Sequence, residues 1–177
     1  MDAPVRERSM PSPPRASVSG AAATIMAPTL FYSPLVKELQ ELLDHELRLA
    51  SQTRQCHWNV KGSDFLQLHE LFGKQYDDID KEIDKLAEFI VQINTTAVRG
   101  DHIRMDDRMS RTLAKEMVSF LAKEHDDVIQ RIQNIVTGTT VSHEAIRAYL
   151  GELQGKHMKM KWFLSALLAT EPSKATK

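Results

Sequence analysis

The chain has 177 residues, 42% of them hydrophobic and 6% aromatic, enough for one domain with a real core. Its formal net charge of −1 gives no global attraction to nucleic acid or anionic lipid, so any such role falls to a local patch or to the tails. A single cysteine excludes an internal disulfide framework and points to a reducing, cytoplasmic setting, and no apolar run reaches the roughly eighteen residues that span a bilayer.

Residues 1–28 are rich in Pro, Ser, Ala and Arg with almost no bulky apolar side chains, the composition of a disordered tail. The segment AAATIMA is too weak for a secretory signal and follows a long polar lead, while Asp2 and Glu7 argue against a transit peptide. The ordered domain is expected over 29–170, with 171–177 a second flexible tail.

Ser33 and Pro34 open the first helix as N-cap and first-turn residue, and Leu35, Leu39, Leu42, Leu43, Leu47 and Ala50 set its apolar stripe to about Val60. Gly62 ends it. Ser63 or Asp64 then caps a second helix whose core face reads Phe65, Leu68, Leu71, Phe72, Tyr76, Ile79, Ile83, Leu86, Ile90 and Ile93. The two make a long antiparallel hairpin. Residues 94–110 are polar, irregular and too long for a tight turn, which predicts a crossover. A third helix is expected from about Arg111, on Leu113, Met117, Leu121, Val128, Ile132 and Ile135, as far as Thr137 and Gly138. Ser142 caps a fourth, with Ile146, Tyr149, Leu150, Leu153, Met160, Phe163, Leu164, Leu167 and Leu168 inward and Pro172 beyond its end. Two long helices, a long crossover and two more predict an all-α, ferritin-like four-helix bundle; cytokine-type bundles need two long crossovers.

The stretch from Cys56 to Glu88 carries the chemistry. His57 lies five residues before Gly62 and His69 seven after it, so the hairpin brings both to one height above the turn. Asp84 and Glu88 are four apart and share a helical face with Asp77 and Lys81. A carboxylate pair of this kind suits Fe(II) or Mn(II), and imidazole suits iron or zinc. His69 and Asp84 are fifteen residues apart on one helix, which at 1.5 Å per residue is about 22 Å and too far for one metal site. Either the two pairs are unrelated, or the carboxylates of one copy meet the histidines of another, giving two equivalent sites per two-fold dimer.

The run CHWNVKGSDFLQLHELF followed by DIDKEIDKLAE resembles the signature of the Dps family, the mini-ferritins named as DNA-binding proteins from starved cells, over roughly residues 33–168, including Lys161–Leu164. The resemblance implies a hollow homo-dodecamer that oxidises Fe(II) to Fe(III) at sites shared across dimer interfaces, preferably with hydrogen peroxide and otherwise dioxygen, and stores ferric mineral. By motif position the metal ligands are His57 and His69 of one subunit with Asp84 and Glu88 of its partner. Trp58 has two readings, packing or the interception of oxidising equivalents beside the site. One position departs from the pattern: the family carries Asp or Glu one turn after the second histidine, and here that residue is Gly73. Glycine inside a helix costs about 1 kcal/mol relative to alanine, and losing the carboxylate predicts reduced or single-iron occupancy.

His45, His102, His125, His143 and His157 lack ligand partners at suitable spacing and read as structural, and Met105, Met158 and Met160 as filler. Asp126 and Asp127 read equally as an iron-entry pore or an exposed acidic face. Cys56 reads as a buried small residue. DNA binding ranks second: the first 28 residues carry Arg6, Arg8 and Arg15 against Asp2 and Glu7, and the last seven Lys174 and Lys177 against Glu171, so each tail contributes little phosphate neutralisation. Weak, salt-sensitive binding or none is expected. The alternative function is a nucleoid-compacting protein with a degraded iron site. A third is a purely structural or signalling bundle.

Overall fold

A computed structural model describes residues 34–94, 98, 113–138 and 144–169, all within the unit Tyr32–Lys177. The expected N-terminal tail, the C-terminal tail, His102, His143, Met105 and nearly all of the crossover lie outside the described residues. The described residues form four helices: α1 (Pro34–Asn59), α2 (Phe65–Asn94), α3 (Ala114–Gly138) and α4 (Glu144–Leu168). Among the described residues there is no strand. Among the described residues no helix is long and apolar enough to cross a membrane.

The first connection is short because the chain reverses on one residue. The Val60 amide donates to the Cys56 carbonyl at 2.9 Å to finish α1, and Gly62 then takes φ 109°, which a side chain would oppose. The Phe65 amide donates back to the Gly62 carbonyl at 3.2 Å and α2 begins. At the other hairpin α3 starts later than the apolar pattern suggests. Leu113 is its cap: the Leu113 carbonyl accepts from the Glu116 and Met117 amides, and the Glu116 carboxylate reaches back to the Leu113 amide at 3.2 Å, half of a capping box. The cap places Leu113 outside the core, 69% exposed.

α1 packs along α2 and α3 along α4; the two hairpins meet chiefly through α1 against α3, with a lighter α2–α4 contact. Leu39, Leu42, Leu49, Phe72, Ile79, Leu86, Ile90, Met117, Leu121, Ile132, Leu150, Leu153 and Leu164 are fully enclosed between them. Polar ties set the register between helices. Arg131 donates to Glu41 at 2.9 Å, Gln75 to the Met160 carbonyl at 3.2 Å and Tyr149 to the Glu82 carbonyl at 3.0 Å. Lys156 holds the buried Glu82 carboxylate at 2.7 Å.

Three further expected core positions are also uncovered in this chain: Phe65 (39% exposed), Phe163 (41%) and Leu167 (40%). Phe65 stands at the first residue of α2, before the neighbouring helix can cover it. On α4 the apolar residues run over two faces, and the bundle buries only the one with Leu153, Met160 and Leu164.

Candidate metal centre

The tight turn at Gly62 sets His57, in the last turn of α1, beside His69, in the second turn of α2. Their rings stack with centroids 3.7 Å apart and planes 22° from parallel. Each ring is fastened by the other's backbone: His57 Nδ1 donates to the His69 carbonyl at 2.6 Å, and His69 Nδ1 donates to the His57 carbonyl at 2.8 Å. A carbonyl oxygen can only accept, so both Nδ1 atoms carry hydrogen. In the neutral rings both Nε2 atoms are then bare lone pairs, the form that binds a metal.

The pair is braced on both sides. Tyr76 stands edge-on to His57 with centroids 5.4 Å apart, and the Arg54 guanidinium lies 4.7 Å from the centre of the Tyr76 ring while pairing with Asp80. Phe65 covers His69 at 5.1 Å. The other wall is Gly73. A Cβ there would sit 3.1 Å from His57 Cε1 and 3.2 Å from Nδ1, so the ring occupies the room a side chain would need.

Asp84 and Glu88 are exposed on α2 and share a shallow depression with Ala87, Val91 and Gln92. The fold does not carry them to the histidines: among the described residues of one chain, no three His, Cys, Asp or Glu side chains are grouped to hold a metal. Trp58 is 59% exposed, which removes core packing within this chain and leaves interface packing or the interception of oxidising equivalents. Cys56 is fully buried, and burial pushes its thiol up to about 12. Asp126 is paired with Lys161, whereas Asp127 lies in an open depression with Glu38, Glu41, Arg48 and Arg131. Met160 is buried and Met158 exposed.

His125 and His157 are structural in the strict sense of being wholly enclosed, along with Glu46; His45 is nearly so and lies 3.4 Å from Glu124. Sequence reasoning missed Glu46 as a buried acid. The signal was present: Glu46 falls between Leu42 and Ala50, His125 between Leu121 and Val128, and His157 between Leu153 and Met160, each on its helix's apolar stripe.

Four helices paired in this way, with the single long connection between α2 and α3, define the ferritin-like class, and residues 36–173 match the family described as Ferritin-like domain. A DNA protection during starvation protein of Porphyromonas gingivalis is 30% identical over 152 residues, covering 76% of this chain and 88% of its own length. Among solved structures, Dps92 of Deinococcus radiodurans is 27% identical with a TM-score of 0.71, over 78% of this chain and 88% of that one. A Dps protein of Vibrio cholerae O1, described as one of the ferritin-like diiron-carboxylate proteins, shares the fold at 22% identity and a TM-score of 0.63, over 76% of this chain and 89% of that one. The chain belongs to the Dps family.

Proposed function

We propose that the protein is an iron-oxidising and iron-storing mini-ferritin of the cytoplasm, assembled as a dodecamer, whose ferrous substrate is held by His57 and His69 of one subunit and Asp84 and Glu88 of the next. The observation that carries this reading is the reciprocal fastening of the two imidazoles, which presents two metal-binding nitrogens at no further cost in ring ordering. The missing anionic half of the site asks for a second copy, since one helix holds His69 and Asp84 about 22 Å apart. The Vibrio cholerae protein, described as one of the ferritin-like diiron-carboxylate proteins, supports iron as the cargo.

The chain's own residues bind and orient the ion. The carboxylates favour the higher charge of the ferric product over the ferrous substrate, so they promote loss of the electron. Hydrogen peroxide takes one electron from each of two ferrous ions and leaves as water or hydroxide; dioxygen is the slower acceptor. Gly73 supplies no carboxylate, which lowers occupancy towards one iron per site. Trp58, exposed and next to His57, is placed to be oxidised when electrons fall short.

Subunit mixing tests the shared site. His57→Ala and Glu88→Ala chains, each slow alone, are unfolded together and reassembled. Random pairing makes half the dimers mixed, each with one intact site of two, so about a quarter of wild-type oxidation returns. No recovery from dimers shown to be mixed would overturn the assignment.

A further inference from the structure

We propose that Glu46, His157 and His125 form an acid-sensitive latch inside the bundle, tying α1, α4 and α3 while His125 is neutral and loosening the bundle when acid adds a proton to the row. All three side chains have no exposed surface. His157 Nε2 lies 2.9 Å from Glu46 Oε1, too bent for a hydrogen bond, and His157 Nδ1 lies 2.9 Å from His125 Nδ1. Two imidazole nitrogens at that distance need one hydrogen between them, so one ring donates and the other accepts.

The far end is what makes the row sensitive. His125 Nε2 is buried and has no partner among the described residues. A proton added to the row puts a second N–H on His125 or forces its hydrogen out to that empty end, and either way a donor is left buried and unpaired. The groups facing the row do not relieve this. On α1 they are His45 and Glu46, on α3 Glu124, on α4 Tyr149, and on α2 Glu82; His45 is already paired with Glu124, and Glu82 with Lys156 and Lys85. Tyr149 spends its hydrogen on the Glu82 carbonyl.

The sign follows from the same geometry. Burial first, then His157 and His45, hold His125 well below the usual imidazole range in the folded protein. The unfolded chain binds a proton there from about pH 6.5 downwards and the folded chain does not, so the stability that neutral His125 contributes is complete above that pH and falls away as pH drops towards the lowered value.

The test uses the full-length protein without iron, so a failed latch and a failed iron site are separate results. Unfolding midpoints are read by circular dichroism at pH 7.5 and pH 5.0. For His125→Phe, which cannot titrate, the acid-induced drop should shrink by about 5 °C relative to wild type. For Glu46→Gln the drop should grow by a similar amount, because the row loses the buried carboxylate that faces an added proton. Opposite shifts support the latch. Equal drops in all three chains overturn it, and should His125→Phe not fold, an unchanged drop in Glu46→Gln does so alone.

Discussion

The described residues include two histidine pairs, each joining two helices, and they differ in where the second nitrogen of each ring goes. His57 and His69 give Nδ1 to backbone carbonyls and keep Nε2 free at a half-buried edge beside the turn. His125 and His157 turn Nδ1 towards each other in the middle of the bundle, where no water reaches. The first pair is ordered by main chain and so is available to a ligand; the second is consumed by its own contact. Two imidazoles across a helix pair therefore do not define a chemistry. What they are fastened to does.

The contrast can be broken most decisively at the hairpin. Substituting His57 and Glu88 together by alanine should slow ferrous oxidation by at least about 100-fold, beyond the cost of losing a supporting hydrogen bond to a ligand, with little change in the unfolding midpoint; oxidation followed by absorbance with peroxide and Fe(II) is the measurement, and unaltered rates would remove the site. The converse substitution belongs to the core. Glu46→Ala leaves His157 Nε2 without a facing group in a dry interior and should cost about 1–3 kcal/mol in urea denaturation, while the iron oxidation rate per folded chain stays that of wild type.

A smaller effect sharpens the role of Gly73. Gly73→Ala recovers up to about 1 kcal/mol of helix propensity, yet its Cβ presses on His57 and should weaken ferrous binding several-fold in a titration. Tighter binding would mean that the ring has room to move. Smallest of all, Cys56 beside His57 should resist iodoacetamide in the native protein at pH 8, since burial keeps its thiol protonated to about 12; mass spectrometry of the alkylated chain would detect any adduct.

Apolar periodicity alone locates all four helices to within a few residues, because a bundle helix must repeat its core contacts every three or four positions. His57 and His69 are legible in the sequence from their distances to Gly62, since a hairpin with one sharp turn leaves little freedom in the pairing of its first rungs. Asp84 and Glu88 are legible as a pair but not, from spacing alone, as a site, because among the described residues no histidine of the same chain is grouped with them. The exposure of Phe65, Phe163 and Leu167 is not legible: periodicity reports that a face is apolar and is silent on which molecule covers it. Glu46 escapes notice because a lone acid within a leucine stripe looks like a break in the pattern, whereas its meaning comes from His157, 111 residues away in sequence and 2.9 Å away in space.

The glycine beside His57 has one more consequence. The ring is located by the main-chain oxygen of His69 and by the bare α-carbon of Gly73, atoms that do not change identity when neighbouring side chains drift. The position of the ring's Nε2 is thereby insulated from most substitutions around it, and the vulnerability is concentrated at position 73. A side chain placed there would need the His57 ring to give by a few tenths of an ångström, so position 73 and the seat of that ring are coupled.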